Sequence, residues 1–156
     1  MTQAAALLEL CRAQGILLAT AESCTGGMVG AALTQTPGSS DVYERGFITY
    51  SNDAKRDMLG VQGETLAQAG AVSEDVAREM AQGALNHSRA SLAVAVTGIA
   101  GPGGSQHKPE GRVCFAIATP QRVTSETVEF GAIGRQAVRQ GATNHALALL
   151  KGAVTG

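Results

Sequence analysis

The stretch SLAVAVT at residues 91–97 places five consecutive apolar residues between a serine and a threonine. An apolar run without polar alternation is typical of a strand that is covered on both faces. The glycine-rich segment GIAGPGGSQHKPEG follows it directly and predicts a loop. Ligands of open α/β sheets bind where strands end and loops begin, so we expect part of a site after residue 97.

The segments on either side of this strand predict six helices. Apolar residues at helical spacing predict a helix over residues 4–14, which Gly15 ends, and a second helix through Met28 and Leu33. Four later helices are predicted in DAKRDML, ETLAQAG, EDVAREMAQGALNHS and RQAVRQGATNHALALLKG. Asn52 would cap the first of these and Gly60 would end it, and Ser73 would cap the third.

Four further strands complete the predicted pattern. ILLAT (residues 16–20) and ERGFITYS precede the central strand, and GRVCFAIAT and VTSETVEF follow it as a β-hairpin around Pro120. Helices separate the early strands, whereas the late strands are joined directly. We therefore predict an α/β fold, a three-layer sandwich with a mixed, partly parallel sheet between helical layers. One domain over residues 1–156 is expected, since a single core is usual at this length.

Charge and cysteine content restrict the class of function. The formal net charge is −1 and no segment holds a run of like charges, so we expect no nucleic-acid partner and no membrane partner. The first residues lack the basic charges of a secretion signal. Cys11, Cys24 and Cys114 are too scattered for a disulfide framework or a zinc site, which indicates a cytoplasmic protein. The three histidines are equally dispersed and predict no metal site.

The segment ESCTGG follows the first predicted strand and contains two candidate nucleophiles. The hydroxyl of Ser23 would lie near the unpaired N–H groups that begin the second helix, and these could stabilise an oxyanion. Gly26 and Gly27 would let a substrate approach the backbone. An ordinary helix cap explains Ser23 equally well. Cys24 is the rival nucleophile, but no histidine stands near it in the sequence, and a small buried residue is the simpler interpretation.

The segment YSNDAK follows the second predicted strand and contains a candidate base. Lys55 can take a proton from a serine only when it is neutral, so its pKa would have to fall well below the usual value of about 10.4. Burial and the positive end of a helix both favour the neutral form. The alternative is an ordinary exposed lysine. Tyr50 could orient Lys55 or the substrate, or it could be an aromatic residue at the rim.

The segment TGIAGPGG offers backbone N–H groups that could bind a phosphate, although it matches neither the P-loop nor the dinucleotide-binding motif. Thr97 could bind a ligand or only its own loop. Arg135 stands at the predicted start of the last helix, where a positive charge is unfavourable. That position indicates an anionic partner such as a phosphate, and a surface salt bridge is the alternative.

Five segments of the chain match one known family when they are taken together. They are TAESCTGG, PGSSDVYERGFITYSNDAK, LGV, GAVSEDVAREMA and AVTGIAGPGGS. Over about residues 7–150 the chain resembles the CinA C-terminal domain family, whose stand-alone members include nicotinamide-nucleotide amidohydrolases. The resemblance implies hydrolysis of the carboxamide of nicotinamide mononucleotide to nicotinate mononucleotide and ammonia. It implies no metal or organic cofactor, and it favours a homodimer.

The resemblance also implies roles for single residues. By motif, the nucleophile falls on Ser23 and its lysine on Lys55, with Arg135 as the third catalytic residue. The implied substrate-binding positions are Tyr50, Thr25, Gly26, Gly27, Thr97, Gly98 and Gly101. Neutral Lys55 would take the proton of Ser23 while N–H groups at the start of the second helix hold the oxyanion. Arg135 and the glycine-rich loop would bind the phosphate, or Arg135 would lower the pKa of Lys55.

Two departures from the family pattern affect this region. The family commonly reads GPDGGS where this chain reads GPGGS, and it commonly has an acidic residue where this chain has Gly134.

Two alternative functions fit the sequence as well. A non-catalytic nucleotide-binding module of the competence or damage-inducible type would explain the altered loop equally well. An amidase whose substrate lacks a phosphate would not need Arg135. Both alternatives remain open at the level of the sequence.

Overall fold

A computed structural model describes residues 1–155, which form six α-helices and five β-strands. In chain order these are α1 (Gln3–Gln14), β1 (Leu18–Glu22), α2 (Met28–Thr34), β2 (Tyr43–Ile48), α3 (Asn52–Leu59), α4 (Gly63–Ala69), α5 (Glu74–Asn86), β3 (Leu92–Gly98), β4 (Arg112–Ala118), β5 (Val123–Glu129) and α6 (Arg135–Thr155). The predicted order of helices and strands is confirmed.

The five strands form one sheet in the order β2-β1-β3-β4-β5. Strand β1 is parallel to both β2 and β3, whereas β4 is antiparallel to β3 and to β5. The predicted mixed, partly parallel sheet and its late hairpin are therefore confirmed. Because β1, β2 and β3 run in the same direction, their carboxyl ends lie along one edge of the sheet. That edge brings together the segments that follow Glu22, Ile48 and Gly98.

Helices cover both faces of the sheet, which confirms the three-layer sandwich. On one face, α1, α2 and α6 bury larger side chains against Leu18, Val94 and Phe115. On the other face, α3, α4 and α5 pack against small residues of the sheet. The small residues are Ala19, Ala21, Ala93, Ala95 and Ala116. Because alanine projects so little from a strand, α5 can lie close to the sheet, as native packing density requires.

The helix ends agree with the sequence at three of four predicted signals. Gly15 and Gly60 adopt left-handed conformations after α1 and α3, with φ of 68° and 70°. The hydroxyl of Ser73 accepts the N–H of Val76 at the start of α5. These contacts satisfy backbone groups that the ends of helices leave unpaired.

Two predicted boundaries are wrong by one or two residues. The cap of α3 is Ser51 and not Asn52, because the Ser51 hydroxyl accepts the N–H of Ala54. The first strand was expected to begin at Ile16, but the N–H of Ile16 still donates to the Cys11 carbonyl at the end of α1. Pairing in β1 therefore starts two residues later, and the strand extends to the residue before Ser23.

No helix among residues 1–155 is both long and apolar enough to cross a membrane. The assignment of residues 1–156 to a single domain stays a prediction.

Candidate active site

A cavity of about 360 Å³ lies at the edge of the sheet where the parallel strands end. Its lining includes Ser23 and Cys24 after β1, Tyr50 after β2, residues 98–105 after β3, and Arg135 at the start of α6. The three segments that the sequence singled out therefore contribute to one cavity. Gly98 and Gly101 lie in this lining, as expected.

The structure brings Ser23 and Lys55 together. The Nζ of Lys55 lies 3.0 Å from the Oγ of Ser23, although the two residues are 32 positions apart in the sequence. The same Nζ donates a hydrogen bond of 2.8 Å to the main-chain carbonyl of Thr49. Only 2% of the Lys55 residue surface is exposed, so the alternative of an ordinary solvent-exposed lysine is wrong.

The surroundings of Lys55 favour its neutral form. Both hydrogen-bond acceptors of its Nζ are uncharged oxygens, those of Ser23 and Thr49. Burial lowers the pKa of Lys55 because it removes the ammonium from water. Desolvation accounts for this lowering, and a contribution from Arg135 stays a prediction. A neutral amine carries a lone pair, which can accept a proton from the adjacent hydroxyl.

Cys24 is a poor candidate for the nucleophile. The residue is 5% exposed, and burial raises the pKa of its thiol to about 12. The nucleophile of cysteine chemistry is the thiolate, which such a pKa makes scarce at neutral pH. The interpretation of Cys24 as a small buried residue is therefore the better one, although the residue contributes to the cavity lining.

Helix α2 begins five residues after Ser23, so the expectation that Ser23 begins this helix is wrong. The residue before Met28 is Gly27, and Gly26 and Gly27 both have positive φ, of 58° and 108°. This conformation, which glycine adopts without strain, inserts a turn between β1 and α2. We call residues 23–27 the serine turn. The two glycines are needed for this backbone, and neither lines the cavity.

The N–H groups at the start of α2 are already occupied. The carboxylate of Glu22 accepts hydrogen bonds from the N–H groups of Gly27 (3.2 Å), Val29 (2.9 Å) and Gly30 (3.0 Å). It also accepts one of 2.6 Å from the hydroxyl of Thr25. The expectation that these groups hold an oxyanion is therefore wrong, since a carboxylate of the protein binds them. Thr25 is fully buried in this contact and does not line the cavity.

Arg139 contacts the serine turn from the side of α6. Its Nε donates to the carbonyl of Cys24 at 3.0 Å and its Nη2 donates to the carbonyl of Thr25 at 3.2 Å. Sequence analysis missed both Glu22 and Arg139. The available signals were a carboxylate directly before the candidate serine and an arginine one helical turn after Arg135.

Arg135 joins two sides of the cavity. Its Nη1 donates to the carbonyl of Gly101 and its Nη2 donates to the hydroxyl of Tyr50, each over 2.8 Å. Both partners are uncharged, so the alternative of a surface salt bridge does not hold for Arg135. Tyr50 is 60% exposed and binds Arg135 rather than Lys55. Thr97 is buried, donates to the carbonyl of Ala71 and does not line the cavity.

The glycine-rich loop is braced by residues near its far end. The carboxylate of Glu110 accepts the N–H of Gly103 at 3.1 Å. The Nζ of Lys108 donates to the carbonyls of Ala69, the last residue of α4, and of Val72, in the loop before α5. These contacts hold the GPGG segment without the aspartate that the family commonly has there. Among residues 1–155, no group of three or more His, Cys, Asp or Glu side chains could hold a metal ion.

Fold and site together define a three-layer α/β protein with a serine hydroxyl held against a buried lysine at the carboxyl ends of its parallel strands. The sequence model of the CinA C-terminal domain matches residues 1–154. The chain therefore belongs to the CinA C-terminal domain family, as the sequence motifs indicated.

Individual proteins and solved structures are similar to the chain over most of its length. The chain is 54% identical, over 140 residues, to the nicotinamide-nucleotide amidohydrolase PncC of Escherichia coli K12, and the alignment covers 89% of this chain and 85% of that protein. It is 50% identical to a CinA-like protein of Syntrophobacter fumaroxidans, of which it spans 34%. Among solved structures, the competence/damage inducible protein CihA from Agrobacterium tumefaciens matches with a TM-score of 0.94 and 49% identity, covering 99% of this chain and 94% of that one.

Proposed function

We propose that this protein is a nicotinamide-nucleotide amidohydrolase, which hydrolyses the carboxamide of nicotinamide mononucleotide to nicotinate mononucleotide and ammonia. The observation that carries the proposal is the 3.0 Å contact between the Ser23 hydroxyl and the buried Lys55 amine, at the edge of a cavity of about 360 Å³. The 54% identity to an amidohydrolase of this class supports the choice of substrate.

The first step forms an acyl-enzyme. Lys55 acts in its neutral form, which burial favours, and takes the proton of Ser23 as the Oγ attacks the carboxamide carbon. The carbonyl of Thr49 accepts one amine hydrogen of Lys55 and so leaves the nitrogen lone pair for the serine proton. Protonated Lys55 then gives this proton to the leaving nitrogen, the C–N bond breaks, and ammonia departs.

The second step returns the enzyme to its starting state. Water loses a proton to Lys55 and attacks the acyl carbon, and the Ser23 oxygen leaves and regains its proton from Lys55. In both steps negative charge develops on the carbonyl oxygen. The N–H of Cys24 is the proposed donor to this oxygen, because Cys24 lines the cavity and no main-chain carbonyl among residues 1–155 accepts its N–H.

Arg135 is the proposed partner of the phosphate. Its guanidinium lies in the cavity lining and its present acceptors, the Gly101 carbonyl and the Tyr50 hydroxyl, are both uncharged. A phosphate would form stronger, charge-assisted hydrogen bonds with the same nitrogens. The exposed glycines of residues 98–105 can approach such a group closely.

The test is ammonia release from nicotinamide mononucleotide by purified wild type, Ser23→Ala and Lys55→Ala, with the exposed Lys151→Ala as a matched control. We expect wild type and Lys151→Ala to release ammonia at equal rates and both site variants to lose turnover. Full turnover in either site variant would reject the proposed Ser23–Lys55 catalytic pair. A nucleotide-dependent rise in melting temperature without ammonia release would favour the non-catalytic binding module instead.

Two further properties are proposed. The family resemblance supports a homodimer, and the scattered cysteines support a cytoplasmic location.

A further inference from the structure

The serine turn has little regular backbone pairing of its own. It lies between the last residue of β1 and the first residue of α2. Within it the N–H of Gly26 donates to the Ser23 carbonyl, and the N–H of Met28 donates to the Thr25 carbonyl. A turn with so few internal bonds is expected to keep its conformation only if other residues hold it. The N–H of Ser23 donates to the Val96 carbonyl of β3 at 2.9 Å, so the sheet holds the first residue of the turn, and other contacts must hold the rest.

The geometry points to Glu22 and Arg139 as a pair of positioning residues for Ser23, the first binding N–H groups at the far end of the serine turn and the second binding its carbonyls. This inference rests on the proposed function, since it assigns the pair a role in placing Ser23 against Lys55. Neither side chain hydrogen-bonds to that of Ser23 or Lys55, so both would act through the backbone.

Glu22 is placed to hold the end of the turn that leads into α2. Its Oε1 accepts three hydrogen bonds and its Oε2 accepts one, from donors three to eight residues further along the chain. The residue is only 2% exposed, and a carboxylate this buried is tolerated only when donors satisfy it. Because β1 is paired on both sides, with β2 and β3, the carboxylate ties the turn to an interior strand of the sheet.

Arg139 is placed to hold the end of the turn that carries the nucleophile. The two carbonyls that it binds belong to the first and second residues after Ser23. A guanidinium presents its N–H groups in a fixed planar fork, so it can set the spacing of two acceptors, whereas a lysine cannot. Arg139 also follows Arg135 by four residues on α6, so one helix face carries both the proposed phosphate partner and the support of the serine.

The two contacts are complementary in charge. The anion takes N–H groups and the cation takes carbonyls, so neither competes with the other for a backbone group. Both bind through charge-assisted hydrogen bonds, which are stronger than neutral ones. Removing either contact should leave the fold intact but allow the Ser23 hydroxyl to move relative to Lys55.

The experiment compares Glu22→Gln, Arg139→Lys and Arg139→Met in the full chain. Glu9→Gln and Arg12→Met serve as matched controls, since Glu9 is exposed on α1 and Arg12 holds the carbonyl of Gly38 far from the turn. Steady-state kinetics with nicotinamide mononucleotide should show kcat reduced roughly 10- to 100-fold, the size expected of a misplaced reacting group, with KM within about 3-fold. Arg139→Lys should lose less than Arg139→Met. Circular dichroism identifies any variant that fails to fold, in which case the remaining variants decide.

A second measurement does not need the amide substrate. A fluorophosphonate phosphonylates an activated serine, because the Oγ–P bond forms as the P–F bond breaks and the serine proton passes to the base. Intact-mass spectrometry should show Ser23 labelling slowed in the folded variants by a factor similar to the loss in kcat. Labelling at the wild-type rate, or a raised KM with unchanged kcat, would overturn the inference. If wild type is labelled but releases no ammonia, the proposed function fails and the labelling rates still decide the role of this pair.

Discussion

The amine of Lys55 lies 3.0 Å from the hydroxyl of Ser23 and 2.8 Å from the carbonyl of Thr49, with no charged acceptor on either side. One segment after β1 supplies the serine, and one helix after β2 supplies the lysine. The parallel pairing of β1 with β2 brings these segments to the same edge of the sheet. The contact is thus a product of the sheet topology, since neither segment could form it alone.

The pH dependence of turnover should follow the lysine. The base must be neutral, so kcat/KM should rise with pH through the pKa of Lys55 in the free enzyme. Because burial lowers this pKa, the rise should lie below the usual lysine value of about 10.4. Ammonia release measured across the pH range at constant ionic strength tests this. A rising limb centred on the usual lysine value would contradict the role of burial.

Stability should also depend on pH through Lys55. The unfolded chain keeps the lysine protonated up to about pH 10.4, whereas the folded chain releases this proton at a lower pH. Between the two pKa values of Lys55 the unfolded state binds more of its proton, so Lys55 should add a positive slope to the free energy of unfolding, by at most about 1.4 kcal/mol per pH unit. The buried cysteines, whose pKa values burial raises, titrate in the same window in both proteins, so urea unfolding should show a more positive slope in wild type than in Lys55→Met. Equal slopes in the two proteins would mean that the lysine is not perturbed.

Replacing the rival nucleophile should have little effect. Cys24→Ala removes a thiol whose pKa of about 12 keeps it protonated, and it leaves the backbone N–H in place. We expect turnover within about 3-fold of wild type, because the thiolate that cysteine chemistry requires is scarce. Ammonia release by Cys24→Ala and Ser23→Ala, measured side by side, separates the two candidates. Loss of turnover in the cysteine variant alone would exchange their roles.

Much of this site could be predicted because it lies where strands end. The order of elements predicted the sheet, and motifs after β1, β2 and β3 predicted which residues meet. The serine cap was mispredicted because Gly26 and Gly27 take positive φ and delay α2, and sequence spacing does not reveal backbone conformation. Thr97 faces the carbonyl of Ala71 because alternate residues of a strand point to opposite faces.

Glu22 and Arg139 were harder to predict for a different reason. Glu22 belongs to a strand, yet its carboxylate binds N–H groups five to eight residues ahead, well outside the local pattern of a helix cap. Arg139 is the fifth residue of α6, where arginine is an ordinary residue, and its acceptors are more than 110 positions away. Hydrogen bonds between residues this far apart in the sequence depend on the tertiary structure, so local sequence patterns do not predict them.

Removing the guanidinium of Arg135 should distinguish substrates with and without a phosphate. Loss of a hydrogen bond to a charged group is worth about 1.5–3 kcal/mol, so Arg135→Met should raise KM for nicotinamide mononucleotide roughly 10- to 100-fold. Nicotinamide riboside lacks the phosphate, and its kinetics should change much less. The control is Arg12→Met, whose partner Asp41 lies outside the cavity. An equal effect on both substrates would assign Arg135 to a role other than phosphate binding.

The close packing of α5 against α3 should make its one glycine, Gly83, costly to replace. A Cβ at Gly83 would overlap the main-chain carbonyl of Leu59, at the end of the helix that carries Lys55, and a backbone atom cannot give way as a flexible side chain can. Gly83→Ala should therefore destabilise the protein by about 1–3 kcal/mol despite the higher helix propensity of alanine. The matched control is Gly152→Ala in α6, whose added Cβ meets nothing within 4 Å among the described residues and should stabilise by up to about 1 kcal/mol. Thermal unfolding of both variants measures the difference, and a stabilised Gly83→Ala would show that α5 can move away from α3.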